Sequence, residues 1–358
     1  MRRVLLVTDR GLTSSGVLTD ALASFVGTDV AVAVFDGVES DPPESSVMAA
    51  VAHARAESVD GVIGIGGGSS LDTAKLVALL ARSTQSMSDV YGVGRAVGAR
   101  WPLIQVPTTA GTGSEVTPIA IVTTATSEKQ GIVSSVLYPD LALLDATLTV
   151  GMPARVTAMT GIDAMVHAIE AYTSRHKKNM MSDNFAVRAL ALLSEHLPRV
   201  LRDGNDLNAR RAMLQGSLLA GMAFANAPVA AVHALAYPIG GQFHVPHGHS
   251  TALVLLPVLA FNLPAADAQY AELSQALRRD GQPACATASG EAFIRAMTEQ
   301  VMGLGLERSL REVGVTEADL PTLASDAMKV QRLLVNNPRN VSYEDALALY
   351  HQALYTNP

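Results

Sequence analysis

The feature that most narrows the fold is a change of texture near residue 153. Before it, β-branched runs alternate with helix-like segments: "VLLVTD" (4–9), "VAVAVF" (30–35), "GVIGIG" (61–66) and "PLIQVP" (102–107), with weaker strand signals at 118–123 and 141–145. Helical patterns such as "SSVMAAVAHARAES" and "SLDTAKLVALLARS" lie between the early ones. That alternation predicts βαβ units and a parallel sheet covered by helices. From "MPARVTAMTG" onward, stretches rich in Ala, Leu and Met take on helical periodicity and strand signals become rare. The expected fold is therefore an α/β domain over residues 1–152, followed by an all-α domain over 153–358. There is no internal repeat, low-complexity tract or long linker, and a ligand site is expected where the two domains meet.

Composition excludes several function classes. At 358 residues and 49% hydrophobic content the chain can bury a core in each domain. Net charge is −7 and the longest cationic run is "RHKK" (175–178), so the basic footprint of a nucleic-acid binder is missing. "MRRVLLVTDRG" has too few apolar residues for a signal-peptide core. The apolar run "ALVLLPVLAF" (252–261) is about half the ~20 residues of a membrane span, and it contains Pro257. A lone cysteine, Cys285, cannot form an internal disulfide and reads as a small apolar residue. The expectation is a soluble cytoplasmic protein with neither nucleic acid nor membrane as partner.

Two polar loops stand out in the first domain. "GVIGIGGGSSLDTAK" puts Gly66, Gly67 and Gly68 between an apolar strand and a helix. Glycines there let backbone approach a phosphate, and Ser69 with the free N–H groups of the helix start supplies donors. The match to the dinucleotide fingerprint is incomplete: the turn follows the third strand, no acidic residue stands at the usual spacing, and an ordinary tight turn has the same residues. Asp9, at the end of the first strand, could accept from a ribose 2′-OH and repel a 2′-phosphate, or simply cap a helix. "VPTTAGTGSEVTP" gathers Thr108, Thr109, Thr112, Ser114 and Thr117 around Gly111 and Gly113 after another strand, where open α/β sheets bind ligands.

The second domain raises a metal question. In "GIDAMVHAIEAY" (161–172), Asp163 and His167 stand four residues apart and so share one helix face among aliphatics. His233, His244, His247 and His249 follow in "NAPVAAVHALAYPIGGQFHVPHGHS" (226–250), the last three expected in a loop around Pro246 and Gly248. One carboxylate with imidazoles suits Zn²⁺ or Fe²⁺. Chemistry alone selects neither the ion nor the loop histidines that bind it.

"GGGSSLDTAK", "PTTAGTGSEVTP", "GIDAMVHAIEAY", "VHALAYPIGGQFHVPHGHS" and "LLVNNPRNVSYEDALALY" occur in the order found in the iron-containing (group III) alcohol dehydrogenase family, which the chain resembles over nearly its whole length. The resemblance implies the fold shared with dehydroquinate synthase: a dinucleotide-binding α/β domain and a helical domain, with NAD and one divalent metal, Fe²⁺ or Zn²⁺, in the cleft. Carried over by position, it makes Asp163, His167, His233 and His247 the metal ligands and leaves His244 and His249 aside. It assigns the pyrophosphate to Gly66, Gly67, Gly68 and Ser69 with Asp72 nearby. Thr108, Thr109 and Thr117 would line the nucleotide, Lys129 would stand near the nicotinamide ribose, and Asp9 would favour NAD. The implied activity is reversible hydride transfer between NAD(H) and a small or medium alcohol or aldehyde, with Phe224 and the 224–232 segment near the substrate.

Three departures from the family pattern stand out. Tyr237 occupies the place where many members carry a histidine associated with proton transfer, and a phenol with a pKa near 10 is the poorer base. Pro228 and alanines replace frequent glycines near the expected substrate position. The chain also starts later than most members, before which lies a segment that often helps dimers form, so a homodimer is an open expectation. Alternatives are a maleylacetate reductase-like enzyme, which usually has Asn at the place of Asp163, and an NAD-using lyase related to dehydroquinate synthase, which needs a basic pocket not evident here. A non-catalytic NAD-binding sensor is a third.

Overall fold

The computed structural model describes residues 1–124 and 129–355, and the chain divides into two compact units. One comprises Met1–Thr109 and Gly113–Gly151; the other begins at Met152 and also takes in Ala110–Thr112.

The first unit is built on a five-stranded parallel sheet. Its strands are β1 (Arg3–Val7), β2 (Ala31–Phe35), β3 (Gly61–Gly66), β5 (Leu103–Pro107) and the two-residue β8 (Leu141–Ala142), in the order β2-β1-β3-β5-β8. Successive side chains of a strand point to opposite faces, so Leu5, Val7 and Val62 join one core cluster while Val4, Leu6, Ile63 and Ile65 join another. Covering both faces buries β3 completely, which is why a near-continuous apolar run marks it in the sequence. The helices that serve this unit include α1 (Arg10–Ser15), α2 (Glu44–Ala56) and α3 (Gly68–Leu80). Strand order reverses between β1 and β3, and open α/β sheets bind ligands beside the carboxyl ends of strands at such a point.

Residues 118–123 do not join this sheet. The strand there, β6 (Ile119–Thr123), pairs antiparallel with β7 (Lys129–Val133) in a separate sheet completed by β4 (Gly92–Val93). The short link to β7 explains the difference, because a parallel pair needs a crossover of a dozen or more residues and a short one allows only antiparallel pairing.

The second unit is helical. Its main elements are α4 (Ala154–Thr173), α5 (Met180–Arg202), α6 (Leu207–Asn226), α7 (Ala231–Phe243), α8 (His247–Ala276), α9 (Gly290–Met302), α10 (Leu320–Lys329), α11 (Gln331–Leu334) and α12 (Tyr343–Leu354). Helix α4 packs against α5, α6 and α8, so Gly161 through Thr173 are buried on every face. That accounts for its uniformly apolar sequence and makes its few polar residues conspicuous.

The loop expected for His247 and His249 is instead the first turn of α8. Pro246 stands at the N-cap in extended conformation, and a proline at a helix start costs no hydrogen bond, so it opens the helix that it was expected to exclude. His244 is the exposed residue that ends α7 in the left-handed region, at φ 54°. The apolar run 252–261 is part of this 30-residue helix, which by length and composition could cross a bilayer; 56% of its apolar window is buried within the protein, as in a core helix.

Candidate functional site

Asp163 and His167 extend from adjacent turns of α4, His233 from the first turn of α7 and His247 from the start of α8. The His247 Nε2, His233 Nε2 and His167 Nε2 atoms lie 3.6, 3.8 and 4.0 Å from Asp163 carboxylate oxygens, the first two from Oδ1 and the third from Oδ2. These spacings are too long for hydrogen bonds. They match donor atoms arranged around a common ion, since two ligands each ~2.1 Å from one metal in tetrahedral geometry lie ~3.4 Å apart. One donor atom from each of Asp163, His233 and His247 falls within 4.8 Å of the others. His167 is outside that triple and joins the cluster through the second carboxylate oxygen and a stacked contact with the His233 ring, 4.7 Å between centroids.

The surroundings fix which nitrogen each imidazole presents. Glu170 accepts the His233 Nδ1 hydrogen at 2.6 Å, and the Gly111 carbonyl accepts that of His167 Nδ1 at 3.2 Å. Both Nε2 lone pairs are thereby turned toward Asp163. His233 Nε2 is buried and has no hydrogen-bond partner among the described residues, an expensive arrangement for a lone acceptor and the expected one for a ligand atom. Burial, reinforced by the neighbouring His233, holds the His167 pKa well below the ordinary histidine value and keeps it neutral, the form that binds metal. At His233 burial opposes a charge, but the Glu170 carboxylate outweighs it and raises the pKa. The donor set and its orientation therefore fit a divalent ion of the Fe²⁺ or Zn²⁺ type.

Glu170 went unnoticed in the sequence, yet it organises the site. Besides holding His233 it accepts hydrogen bonds from Ala230 N and Val232 N, at 2.9 and 2.7 Å, and so pins the start of α7 to α4. Its faint signal was a carboxylate on a helix face otherwise filled by aliphatics. Glu170→Gln removes the charge that orients His233 and is expected to weaken metal binding about 10- to 100-fold. Competition with a chromophoric chelator measures this directly, and an unchanged affinity would refute the role.

A glycine sets the position of His247. A Cβ on Gly248 would come 2.1 Å from the Met159 carbonyl oxygen, so only glycine lets the first turn of α8 lie this close to α4. His249 points elsewhere, its Nε2 bonded to the Glu307 carbonyl at 2.9 Å. Phe224 stacks on His167 at 4.4 Å, and the Tyr237 ring stands 5.8 Å from that of His247.

In the α/β unit, Gly66 and Gly67 make the turn from β3 into α3, which Gly68 opens. At Gly66, with φ 153°, a Cβ would meet the Ser70 Cβ at 2.6 Å. Thr108 N bonds to the Gly66 carbonyl at 3.0 Å, and Thr109 lies against Gly67. Asp9 caps α1, accepting from Leu12 N at 3.1 Å. Lys129 pairs with Asp41 at 2.6 Å, and Asp41 N donates to Ser69 Oγ at 3.2 Å, so the distant lysine is tied to the glycine turn through a residue with no sequence signal. Asp72 and Thr117 are drawn into a buried brace around Lys75, whose Nζ lies 2.6 Å from the Ile119 carbonyl, 2.8 Å from Ser114 Oγ and 3.3 Å from both Asp72 Oδ1 and Thr117 Oγ1.

A strand-glycine-helix turn at a parallel sheet's switch point, with a buried carboxylate–imidazole cluster in a helical unit, defines the class of metal-containing, nucleotide-dependent oxidoreductases. Sequence comparison makes this specific. The chain belongs to the iron-containing alcohol dehydrogenase family: residues 1–146 match the family model "Iron-containing alcohol dehydrogenase", and residues 157–354 match "Fe-containing alcohol dehydrogenase family, C-terminal". It is 38% identical to long-chain-alcohol dehydrogenase 1 of Geobacillus thermodenitrificans, over 98% of this chain and 89% of the relative. It is 32% identical to an NAD-dependent methanol dehydrogenase of Bacillus methanolicus, over 99% and 92%. The crystal structure of a 1,3-propanediol oxidoreductase superposes with a TM-score of 0.93 at 35% identity, covering 99% of this chain and 92% of that one.

Proposed function

We propose that this chain catalyses reversible hydride transfer between NAD(H) and a small or medium alcohol or aldehyde, with Asp163, His167, His233 and His247 holding one divalent ion. The observation that carries the reading is the convergence of Asp163, His233 and His247, with the buried Nε2 of His233 lacking a hydrogen-bond partner among the described residues. A bound ion supplies Lewis acidity toward the substrate oxygen. The family's iron makes Fe²⁺ the first expectation, and the same ligands accept Zn²⁺.

The remaining tasks belong to the chain's own residues. Gly66, Gly67, Gly68 and Ser69 cradle the pyrophosphate at the start of α3, while Thr108, Thr109 and Thr117 with Asp72 shape the loop beside it. Lys129 would approach the nicotinamide ribose, as the family resemblance implies. Asp9 disfavours a 2′-phosphate and so selects NAD. Tyr237 can donate and accept hydrogen bonds beside His247 and serves as proton relay at the place where many members of the family carry a histidine. Phe224 gives the pocket an apolar wall and excludes water.

The test is metal content of protein purified without chelator, together with NADH oxidation across an aldehyde panel before and after metal removal. About one Fe or Zn per chain, with activity lost on stripping and restored on reloading, is expected. Full activity in metal-free protein would overturn the reading in favour of a metal-independent reductase.

A further inference from the structure

The least buried member of the cluster marks its open side. The His247 side chain is 29% exposed, against 3% for Asp163 and His233 and 7% for His167. Tyr237 stands beside His247, and over the Tyr237 ring, 6.0 Å from its centroid, lies the Arg332 guanidinium.

Arg332 is exposed, and no carboxylate lies within ion-pairing distance of it among the described residues. The acidic groups nearby are otherwise engaged: Glu170 with His233 and the start of α7, Asp163 with the histidines, and Asp326 with Lys329 and Gln242. The backbone that carries the arginine is firmly held. Leu333 and Leu334 are buried, and Asn336 Nδ2 donates to both the Arg332 carbonyl and the Val229 carbonyl, each at 3.1 Å, linking α11 to the segment that leads into α7 and His233. An exposed guanidinium with no carboxylate partner among the described residues, on the open side of such a cluster, is a recognition element for an anion.

We propose that Arg332 selects substrates bearing an anionic group, namely short aldehydes or alcohols with a terminal carboxylate, whose reacting carbon is held at the Asp163–His247 cluster while the carboxylate pairs with Arg332. The inference rests on the dehydrogenase reading and sharpens its substrate class. The overall reaction stays balanced: the carbonyl carbon of the oxo acid gains a hydride from NADH and its oxygen a proton, giving the hydroxy acid and NAD⁺.

Metal-loaded enzyme is assayed with succinic semialdehyde and with butanal, which share a four-carbon chain and differ in the carboxylate. Wild-type enzyme should favour the semialdehyde in kcat/KM by at least about tenfold. Arg332→Met should lower the ratio of the two kcat/KM values about 10- to 100-fold, through KM for the oxo acid, as expected for a lost charged hydrogen bond. Arg332→Lys should restore part of that ratio. Titration calorimetry with 4-hydroxybutyrate and NADH on metal-loaded protein, a pair that cannot exchange hydride, provides a reading independent of turnover, and binding at least tenfold weaker in Arg332→Met is expected. Butanal reduced as well as the semialdehyde, an unchanged ratio in Arg332→Met, or a loss confined to NADH affinity would each overturn the proposal while leaving the dehydrogenase reading intact. Failure of metal-loaded wild type to reduce any aldehyde would instead remove the dehydrogenase reading, and unchanged 4-hydroxybutyrate binding in Arg332→Met would then overturn the anion proposal separately.

Discussion

Asp163→Asn is expected to lower turnover at least about 1,000-fold while both units remain folded, and His247→Ala should do the same. The magnitude follows from the role: Lewis-acid stabilisation contributes several kcal/mol at the transition state, and each 1.36 kcal/mol is a factor of ten in rate. Asparagine nearly reproduces the shape of aspartate and can still accept from Thr251 Oγ1, which lies 3.3 Å from Asp163 Oδ1, so packing is preserved while the anionic ligand is lost. His247 is partly exposed at the start of α8, and its truncation opens no buried cavity. NAD affinity should change little in either variant, because the glycine turn belongs to the other unit. Circular dichroism, NAD titration and metal analysis on the same preparations separate loss of chemistry from loss of fold. Turnover within tenfold of wild type in Asp163→Asn would show that the cluster is not the reaction centre.

The two residues of the proposed metal site that share α4 were legible from spacing because their geometry is local: residues four apart on a helix meet on one face. His233 and His247 approach Asp163 only through the packing of three helices, and no spacing rule conveys that. Their assignment came from the family resemblance. Pro246 misled for a physical reason, since a proline that breaks a helix interior is equally suited to begin one, and sequence alone does not say on which side of it the helix lies. Residues 118–123 looked like another member of the main sheet because strand propensity carries no information about partner choice. Glu170 and Arg332 meet side chains more than 60 and more than 90 positions away respectively, so nothing in their local sequence singled them out.

Lys75 is the most severe case of a hidden residue. It lies in the helical pattern "SLDTAKLVALLARS", yet its side chain is fully buried and makes four polar contacts, three of which join α3 to the 114–119 segment. Burial pushes its pKa down, and the carboxylates of Asp72 and Glu115 push it back up. Glu115, itself buried with one oxygen unpartnered among the described residues, is lifted to about 7 by burial in spite of the lysine. Asp72 completes the brace by accepting from Ser114 Oγ at 2.5 Å and from Ile121 N at 2.9 Å. Lys75→Met keeps the length and apolar stem of the side chain but strands the Asp72 carboxylate and the Ile119 carbonyl without their cation. Breaking one side of a buried pair costs about 3–5 kcal/mol, so guanidinium unfolding should show a loss of that size. NAD affinity should fall with it, since the brace holds the segment that follows Thr108 and Thr109. In Lys75→Met/Asp72→Leu the stranded charge is gone, and part of the lost stability should return. A loss below about 1 kcal/mol in Lys75→Met would mean that the lysine merely fills space, and an absence of recovery in the double variant would mean that Asp72 is held by Ser114 and Ile121 without it.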